Sequence, residues 1–177
     1  VEATTEDHVR TEELLRFIRP DETARQFLAR TFVPPLHTGL AFIDREVRLR
    51  SGDVLEAVGV AGSGKTELLI QAAVQCILPE ACGGAGAAVL VIDLDAKLDP
   101  ARLATVLRGR LSESTGAVPS PADFEASFSS CMRRFHLITV HSTVELLQAV
   151  RGLGLLLSEV ESRSGAPVRL VLLDNVG

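Results

Sequence analysis

Apolar residues in this chain fall into short runs that alternate with longer segments of mixed polarity. Residues 87–93 form a nearly unbroken apolar run, which is typical of a parallel strand covered on both faces. Residues 136–140 and 169–174 are also predicted to be strands. Residues 53–58, before a glycine-rich turn, are predicted to be a further strand. Strands that alternate with helices predict an α/β fold with a parallel sheet flanked by helices.

Capping residues mark several of the predicted helices. Asp99 and Pro100 have the residue types preferred at the N-cap and at the first helical position. Ser142 and Glu145 have the spacing of a capping box, which predicts one long helix that continues to about residue 162. Gly152 lies inside this helix and weakens it by about 1 kcal/mol relative to alanine.

The chain is predicted to consist of an arm and a main domain. Residues 1–38 are assigned to an N-terminal helical arm and linker, and residues 39–177 to the main domain. Pro20 ends a first helical segment, and Asp21 can cap a second, short helix. The arm is too short to bury a core of its own.

Composition narrows the class of protein. The chain has 177 residues, of which 46% are hydrophobic, with a mean hydropathy of +0.25, as expected for a globular domain with an aliphatic core. A net charge of −5 gives no support for a broad nucleic-acid footprint. Three cysteines without metal-ligand spacing favour a reducing compartment. The acidic, polar first residues do not predict a signal peptide, and no apolar run approaches the roughly 18 residues of a membrane span.

Residues 59–66 fit the phosphate-loop pattern G-x-x-x-x-G-K-(S/T) at every fixed position. A predicted strand precedes them, and a predicted helix follows and ends before Pro79. Glycines let backbone N–H groups curl around a phosphate, and the positive end of the helix dipole adds to the attraction. Lys65 would face the β- and γ-phosphates, and the Thr66 hydroxyl would ligate Mg²⁺. The nucleotide-binding residues predicted here are Gly59, Val60, Ala61, Gly62, Ser63, Gly64, Lys65 and Thr66.

The use of lysine in this chain strengthens that assignment against a chance match in a glycine-rich loop. Of 18 basic residues, only Lys65 and Lys97 are lysine. A guanidinium fork substitutes poorly for a compact ammonium ion at a phosphate. Lysine at position 65 therefore favours a functional site.

Carboxylates at two predicted strand ends are further candidates. Asp174 ends a buried strand and is predicted to hold Mg²⁺ together with Thr66, although an aspartate at this place can also simply start a turn. Asp93 and Asp95 end another strand at a spacing that points both side chains the same way. Asp95 is the candidate for orienting an attacking water, and turn formation is the open alternative.

Other candidates are weaker. His136 and His141 bracket a predicted strand, but their spacing gives little reason to expect a zinc site. Cys76 lies on an apolar helix face and is expected to be a small core residue. Arg133 and Arg134 are candidates for a phosphate contact, or for solvated surface.

The three site segments together resemble the ATPase core of the RecA-like recombinases. The resemblance implies ATP and Mg²⁺ as cofactors and a RecA-like core of the P-loop NTPase class. It also implies a role in homologous-recombination repair of DNA double-strand breaks in the nucleus. The neighbour in a heteromeric complex would be another RecA-like paralogue, with DNA contacted through the complex. Segments that resemble the eukaryotic paralogues of this family are 64–67, 76–79, 102–107 and 134–137.

The chain departs from the family pattern at three places. Asp95 stands where active recombinases have a glutamate, so we expect little ATP turnover. No Phe-x-x-Ala polymerisation segment occurs in residues 1–38. The chain stops shortly after Asp174, where the family continues, so the core is expected to be incomplete at its C-terminus.

Two other functions remain open. An active P-loop ATPase would need Asp95 to replace the longer glutamate. A small-molecule kinase usually closes an arginine-rich lid over the phosphates, and the polar residues 112–122 contain neither arginine nor lysine.

Overall fold

The computed structural model describes residues 22–114 and 120–174, and its contacts divide the chain into two units, Val1–Pro34 and Pro35–Gly177. In the first unit, helix α1 spans Ala24–Thr31. The first predicted helix, Pro20 and Asp21 lie outside the described residues. The N-cap of α1 is Thr23 and not Asp21, because Thr23 and Gln26 form a reciprocal capping box.

The second unit begins with residues that the sequence analysis places in the linker. The Leu36 N–H donates to the Leu49 carbonyl at 2.8 Å, and the Leu36 side chain is buried in the core. The backbone N–H and the hydroxyl of Thr38 both donate to Asp44, at the end of the short helix α2 (Ala41–Asp44). Residues 36–38 therefore pack with the second unit.

A parallel sheet of three strands lies at the centre of the second unit. Its strands are β1 (Ala88–Asp93), β2 (Phe135–Thr139) and β3 (Val168–Asp174), in the order β2-β1-β3. Asp93 is in register with Thr139 on one side and with Asp174 on the other. The carboxyl ends of all three strands therefore meet at one edge of the sheet, as the predicted α/β fold requires.

Helices cover both faces of this sheet. One face packs on the leucines of α4, together with α3 and Cys131 of α5, and the other face packs on α7 around Val160. Every residue of β1 is buried, which explains its unbroken apolar run. The helices of this unit after α2 are α3 (Lys65–Ile77), α4 (Pro100–Ser114), α5 (Pro121–Met132), α6 (Thr143–Arg151) and α7 (Leu153–Ser164), with a 3₁₀ turn at Glu80–Cys82.

The strand predicted at residues 53–58 is wrong. These residues follow the predicted turn at Gly52, but they form no strand and pair with no other described residue in a sheet. Val54 is 93% exposed and Val58 is 86% exposed. Residues with a high strand preference form strands where their side chains can pack on a pleated, half-buried surface. The side chains of residues 53–58 are not packed in this way.

The single long helix predicted after Ser142 is also wrong, because it is two helices. The capping interaction is present, since the Glu145 N–H donates to the Ser142 hydroxyl at 3.2 Å. Gly152 is both the C-cap of α6 and the N-cap of α7, because glycine has a low helix propensity and readily ends a helix. Within residues 22–114 and 120–174, no helix is both long enough and apolar enough to cross a membrane.

Candidate functional site

Two of the three glycines in residues 59–66 have a backbone conformation that favours glycine. Gly62 has φ 78° and Gly64 has φ 89°, both in the left-handed region that favours glycine. Gly64 is the N-cap of α3, so the loop leads directly into the first turn of that helix. The N–H groups of a first helical turn have no partners within the helix and are available to an anion.

The ammonium group of Lys65 lies over this loop. Its Nζ donates to the carbonyl oxygen of Gly59 at 2.7 Å and to that of Val60 at 3.1 Å. Gly59 also lies close to Ser63, because a Cβ built on Gly59 would come within 2.7 Å of the Ser63 Oγ. The loop is therefore closely curled, and the ammonium group of Lys65 contacts its backbone.

Thr66 and Asp174 meet, as the sequence analysis expected of a shared Mg²⁺ site. The Thr66 Oγ1 donates to the Asp174 Oδ2 at 2.9 Å, although the two residues are 108 positions apart. Helix α3 provides Thr66 from its first turn, and β3 provides Asp174 from its last residue. Asp174 is only 5% exposed, so its carboxylate is held at the edge of the sheet by the fold.

The donor set at this edge fits a nucleotide with Mg²⁺. A hydroxyl and a carboxylate oxygen are the hard ligands that Mg²⁺ uses, with waters and phosphates completing its shell. Lys65 and the curled backbone supply positive charge and N–H donors for the phosphates. A Cβ built on Gly62 or on Gly64 would contact nothing within 4 Å, so the loop opens outward at both glycines.

The two carboxylates at the carboxyl end of β1 have different roles. Asp93 is 1% exposed, and its two oxygens accept from the backbone N–H groups of Asp95 at 3.1 Å and of Leu98 at 2.9 Å. Asp93 thus organises a turn, which was the alternative that the sequence left open. Asp95 lies on this turn and accepts from the Lys97 Nζ at 2.8 Å.

Sequence reasoning missed an ion pair beside the loop. Arg102 on α4 donates two hydrogen bonds, of 3.0 and 2.9 Å, to the carboxylate of Glu67, which also accepts from Gln71. The Arg102 guanidinium is the largest cause that lowers the pKa of Glu67. The i,i+4 spacing of Glu67 and Gln71 could be read from the sequence, but the position of Arg102 depends on the packing of α4 against α3.

The weaker candidates have structural roles. Burial raises the pKa of Cys76 to about 12, and its Sγ lies 3.6 Å from the Ala88 carbonyl, so it is a core residue as expected. Arg134 donates to the carbonyl of Ile77 at the end of α3. Within the described part of the chain, no three histidine, cysteine or acidic residues are grouped as metal ligands.

Comparison with known proteins found DNA repair proteins among the relatives of this chain, whereas no protein-family model matches it. It is 33% identical over 199 aligned residues to the DNA repair protein XRCC2 homologue of Arabidopsis thaliana, covering 94% of this chain and 51% of the relative. The mouse DNA repair protein XRCC2 is 39% identical over 60% of this chain and 35% of its own length. The DNA repair and recombination protein RadA of Methanocorpusculum labreanum is 32% identical over 72% of this chain and 37% of its own. The chain thus spans about half, or less, of the length of these relatives.

Proposed function

Because this chain is an XRCC2-like relative of the RecA-like recombinases, we propose that it is an ATP-binding subunit of a heteromeric complex in homologous-recombination repair of DNA double-strand breaks. Its place of action would be the nucleus. The observation that carries the nucleotide assignment is the 2.9 Å hydrogen bond between Thr66 and Asp174. It joins the end of the glycine-rich loop to Asp174, the buried last residue of β3.

In this proposal, the residues of the site bind and orient the nucleotide. The N–H groups of the loop and of the first turn of α3 donate to phosphate oxygens. Lys65 leaves the carbonyl oxygens of the loop and places its ammonium group at the phosphates. Thr66 and Asp174 hold the Mg²⁺ shell, and the Mg²⁺ that accompanies the nucleotide supplies charge neutralisation.

The proposal predicts that Lys65→Ala weakens nucleotide binding. Loss of charge-assisted hydrogen bonds to phosphate should lower the affinity for Mg-ATP by roughly tenfold to a hundredfold. Isothermal titration calorimetry measures this, and circular dichroism checks that the variant is folded. Lys65→Arg tests whether a compact ammonium is needed, and Arg163→Ala, in an exposed ion pair on α7, is the matched control. Unchanged affinity in Lys65→Ala would contradict the nucleotide assignment.

The proposal includes little ATP turnover by this chain alone. The Asp95 carboxylate is one methylene shorter than a glutamate, and Lys97 is paired with it at 2.8 Å. Water positioning tolerates little error, since a displacement of about 1 Å can cost roughly a hundredfold in rate. We expect steady-state turnover far below the rate of about 10 per second that is typical of enzymes. Turnover near that rate would instead support the alternative of an active ATPase, and Asp95→Glu tests whether the longer side chain raises it.

The proposed partner is another RecA-like recombinase paralogue, and DNA would be contacted mainly through the complex. The chain is acidic, with a net charge of −5, which does not favour a broad DNA surface of its own. Large apolar side chains remain exposed in the second unit, which favours a protein partner.

A further inference from the structure

The two lysines of this arginine-rich chain lie at the same edge of the sheet. Lys65 belongs to the glycine-rich loop and begins α3, and Lys97 lies on the turn that follows β1. Since β1 and β3 pair with Asp93 opposite Asp174, this turn is next to the Thr66–Asp174 contact. Neighbouring strands are about 4.8 Å apart, a distance that a lysine side chain spans. The second lysine is therefore a candidate for the same ligand as the first.

The turn that carries Lys97 is held on several sides. The Leu94 N–H donates to the carbonyl of Asp174 at 3.2 Å, and the Val140 N–H donates to the carbonyl of Asp93 at 2.9 Å. The Asp93 carboxylate fixes the interior of the turn, as described above. Ala96 has φ 52°, a conformation that costs energy for a residue with a Cβ and that often occurs at functional sites. The turn is thus a fixed support for one flexible cation.

The end of Lys97 is exposed and faces acidic groups. Its side chain is 73% exposed, and its Nζ donates to the Asp95 carboxylate. The pKa of Lys97 is raised, first by the hydrogen bond and charge of Asp95, and less by the charges of Asp174 and Asp93. An exposed ion pair of this kind contributes little to stability, so a more highly charged ligand can replace Asp95 as the partner of Lys97.

We propose that Lys97 is a second phosphate-directed cation, which turns from Asp95 to the terminal phosphate of a bound nucleoside triphosphate. The inference rests on the nucleotide binding proposed above and adds a specificity to it. Lysine suits this role because its compact charge sits on a flexible stem that can exchange partners. A diphosphate lacks the terminal group, so Lys97 makes the chain prefer the triphosphate.

The test compares nucleotide affinities of the full chain with Mg²⁺ present. Calorimetric titrations with ADP and with a non-hydrolysable β,γ-imido analogue of ATP measure binding without turnover. Lys97→Met should lower the affinity for the ATP analogue by about tenfold, which is the effect of one lost charge-assisted contact. The affinity for ADP should stay unchanged. Asp95→Asn frees Lys97 from its carboxylate and should keep or tighten the affinity for the analogue.

The outcomes separate this inference from the proposed function. If the wild-type chain binds neither nucleotide, both fall. If the wild-type chain binds both and Lys97→Met loses neither affinity, or loses both equally, only the role of Lys97 is overturned. If Asp95→Asn lowers the affinity for the ATP analogue as much as Lys97→Met does, the ion pair merely supports the turn, and the proposal is again wrong.

Discussion

His136 is a partly buried polar residue with both apolar and charged neighbours. It lies on β2, two positions before Ile138, which packs against the apolar cluster that includes Val160 of α7. Its Nε2 is buried and has no hydrogen-bond partner among the described residues. Burial is the largest cause that lowers its pKa, and the charge of Arg163 lowers it further, while a backbone hydrogen bond with Arg133 and the charge of Glu159 raise it.

This environment predicts a specific pH dependence of stability. A histidine whose pKa is lower in the folded chain takes up its proton more readily when the chain is unfolded. The free energy of unfolding should therefore decrease as the pH falls through the unfolded value of about 6.5, until the folded pKa is passed. His136→Leu should remove this decrease and also relieve the unpaired Nε2. Urea denaturation between pH 7.5 and 5 measures it, with His141→Leu as the control; a variant that keeps the slope would contradict the assignment.

Single residues of the candidate site could be predicted from the sequence where one local pattern marks them. Lys65 and Thr66 follow from the glycine spacing, and Asp174 from the end of an apolar run; the structure brings Thr66 and Asp174 together, although their ligands stay predictions. The resemblance to RecA-like recombinases, also drawn from these patterns, is confirmed by the relatives found. The Arg102–Glu67 pair could not be predicted, because it depends on how two helices pack.

The tight connection between α3 and β1 depends on glycine. The Gly84 N–H donates to the Pro79 carbonyl, and the Gly86 N–H donates to the Leu78 carbonyl, so the chain turns back tightly. A Cβ built on Gly84 would collide with the backbone carbonyl of Leu78. Residue 84 must therefore lack a side chain if this turn is to form.

Two glycine-to-alanine variants should have opposite effects. Gly84→Ala should lower the free energy of unfolding by about 1–3 kcal/mol, because the backbone must shift to relieve the overlap. Gly109→Ala, within α4, should raise it by about 1 kcal/mol, since a Cβ there contacts nothing within 4 Å and alanine favours the helix. Urea denaturation measures both, and an unchanged midpoint for Gly84→Ala would show that the turn adapts.

The boundaries of β1, β2 and β3 and of most helices lie close to the predicted ones. Gly64 and Pro79 enclose α3, and Asp99 caps α4, because these signals act within one turn of the chain. Residues 53–58 have a strand pattern but form none, because a strand also requires a neighbour that its own sequence does not supply. The break at Gly152 was seen only as a weak point, since propensity alone does not decide whether a helix ends.

At the scale of the whole molecule, the second unit leaves apolar surface uncovered. Val54, Val58 and Val60 lie exposed before and within the glycine-rich loop, and the outer edges of β2 and β3 are unpaired among the described residues. Unpaired strand edges and apolar side chains favour association. We therefore expect the chain to associate, and a recombinase paralogue to be the partner that covers this surface.

Light scattering tests this expectation. The isolated chain should be polydisperse, and a RecA-like paralogue should convert it to a defined complex. The double change Val54→Thr and Val58→Thr should reduce association, whereas Leu155→Ser, at an exposed position on α7, serves as the matched control. A stable, monodisperse monomer without affinity for any paralogue would contradict it.

The central position of β1 also has a consequence for how the chain folds. Both neighbours of β1, the parallel strands β2 and β3, follow it in the chain after intervening helices. They can pair with β1 only after these long connections have closed, and this makes folding slow. Until then, a stretch of five apolar residues that ends in a single aspartate is open to other chains. Refolding yield should therefore fall steeply as protein concentration rises, and synthesis at low temperature or with chaperones present should favour the soluble product.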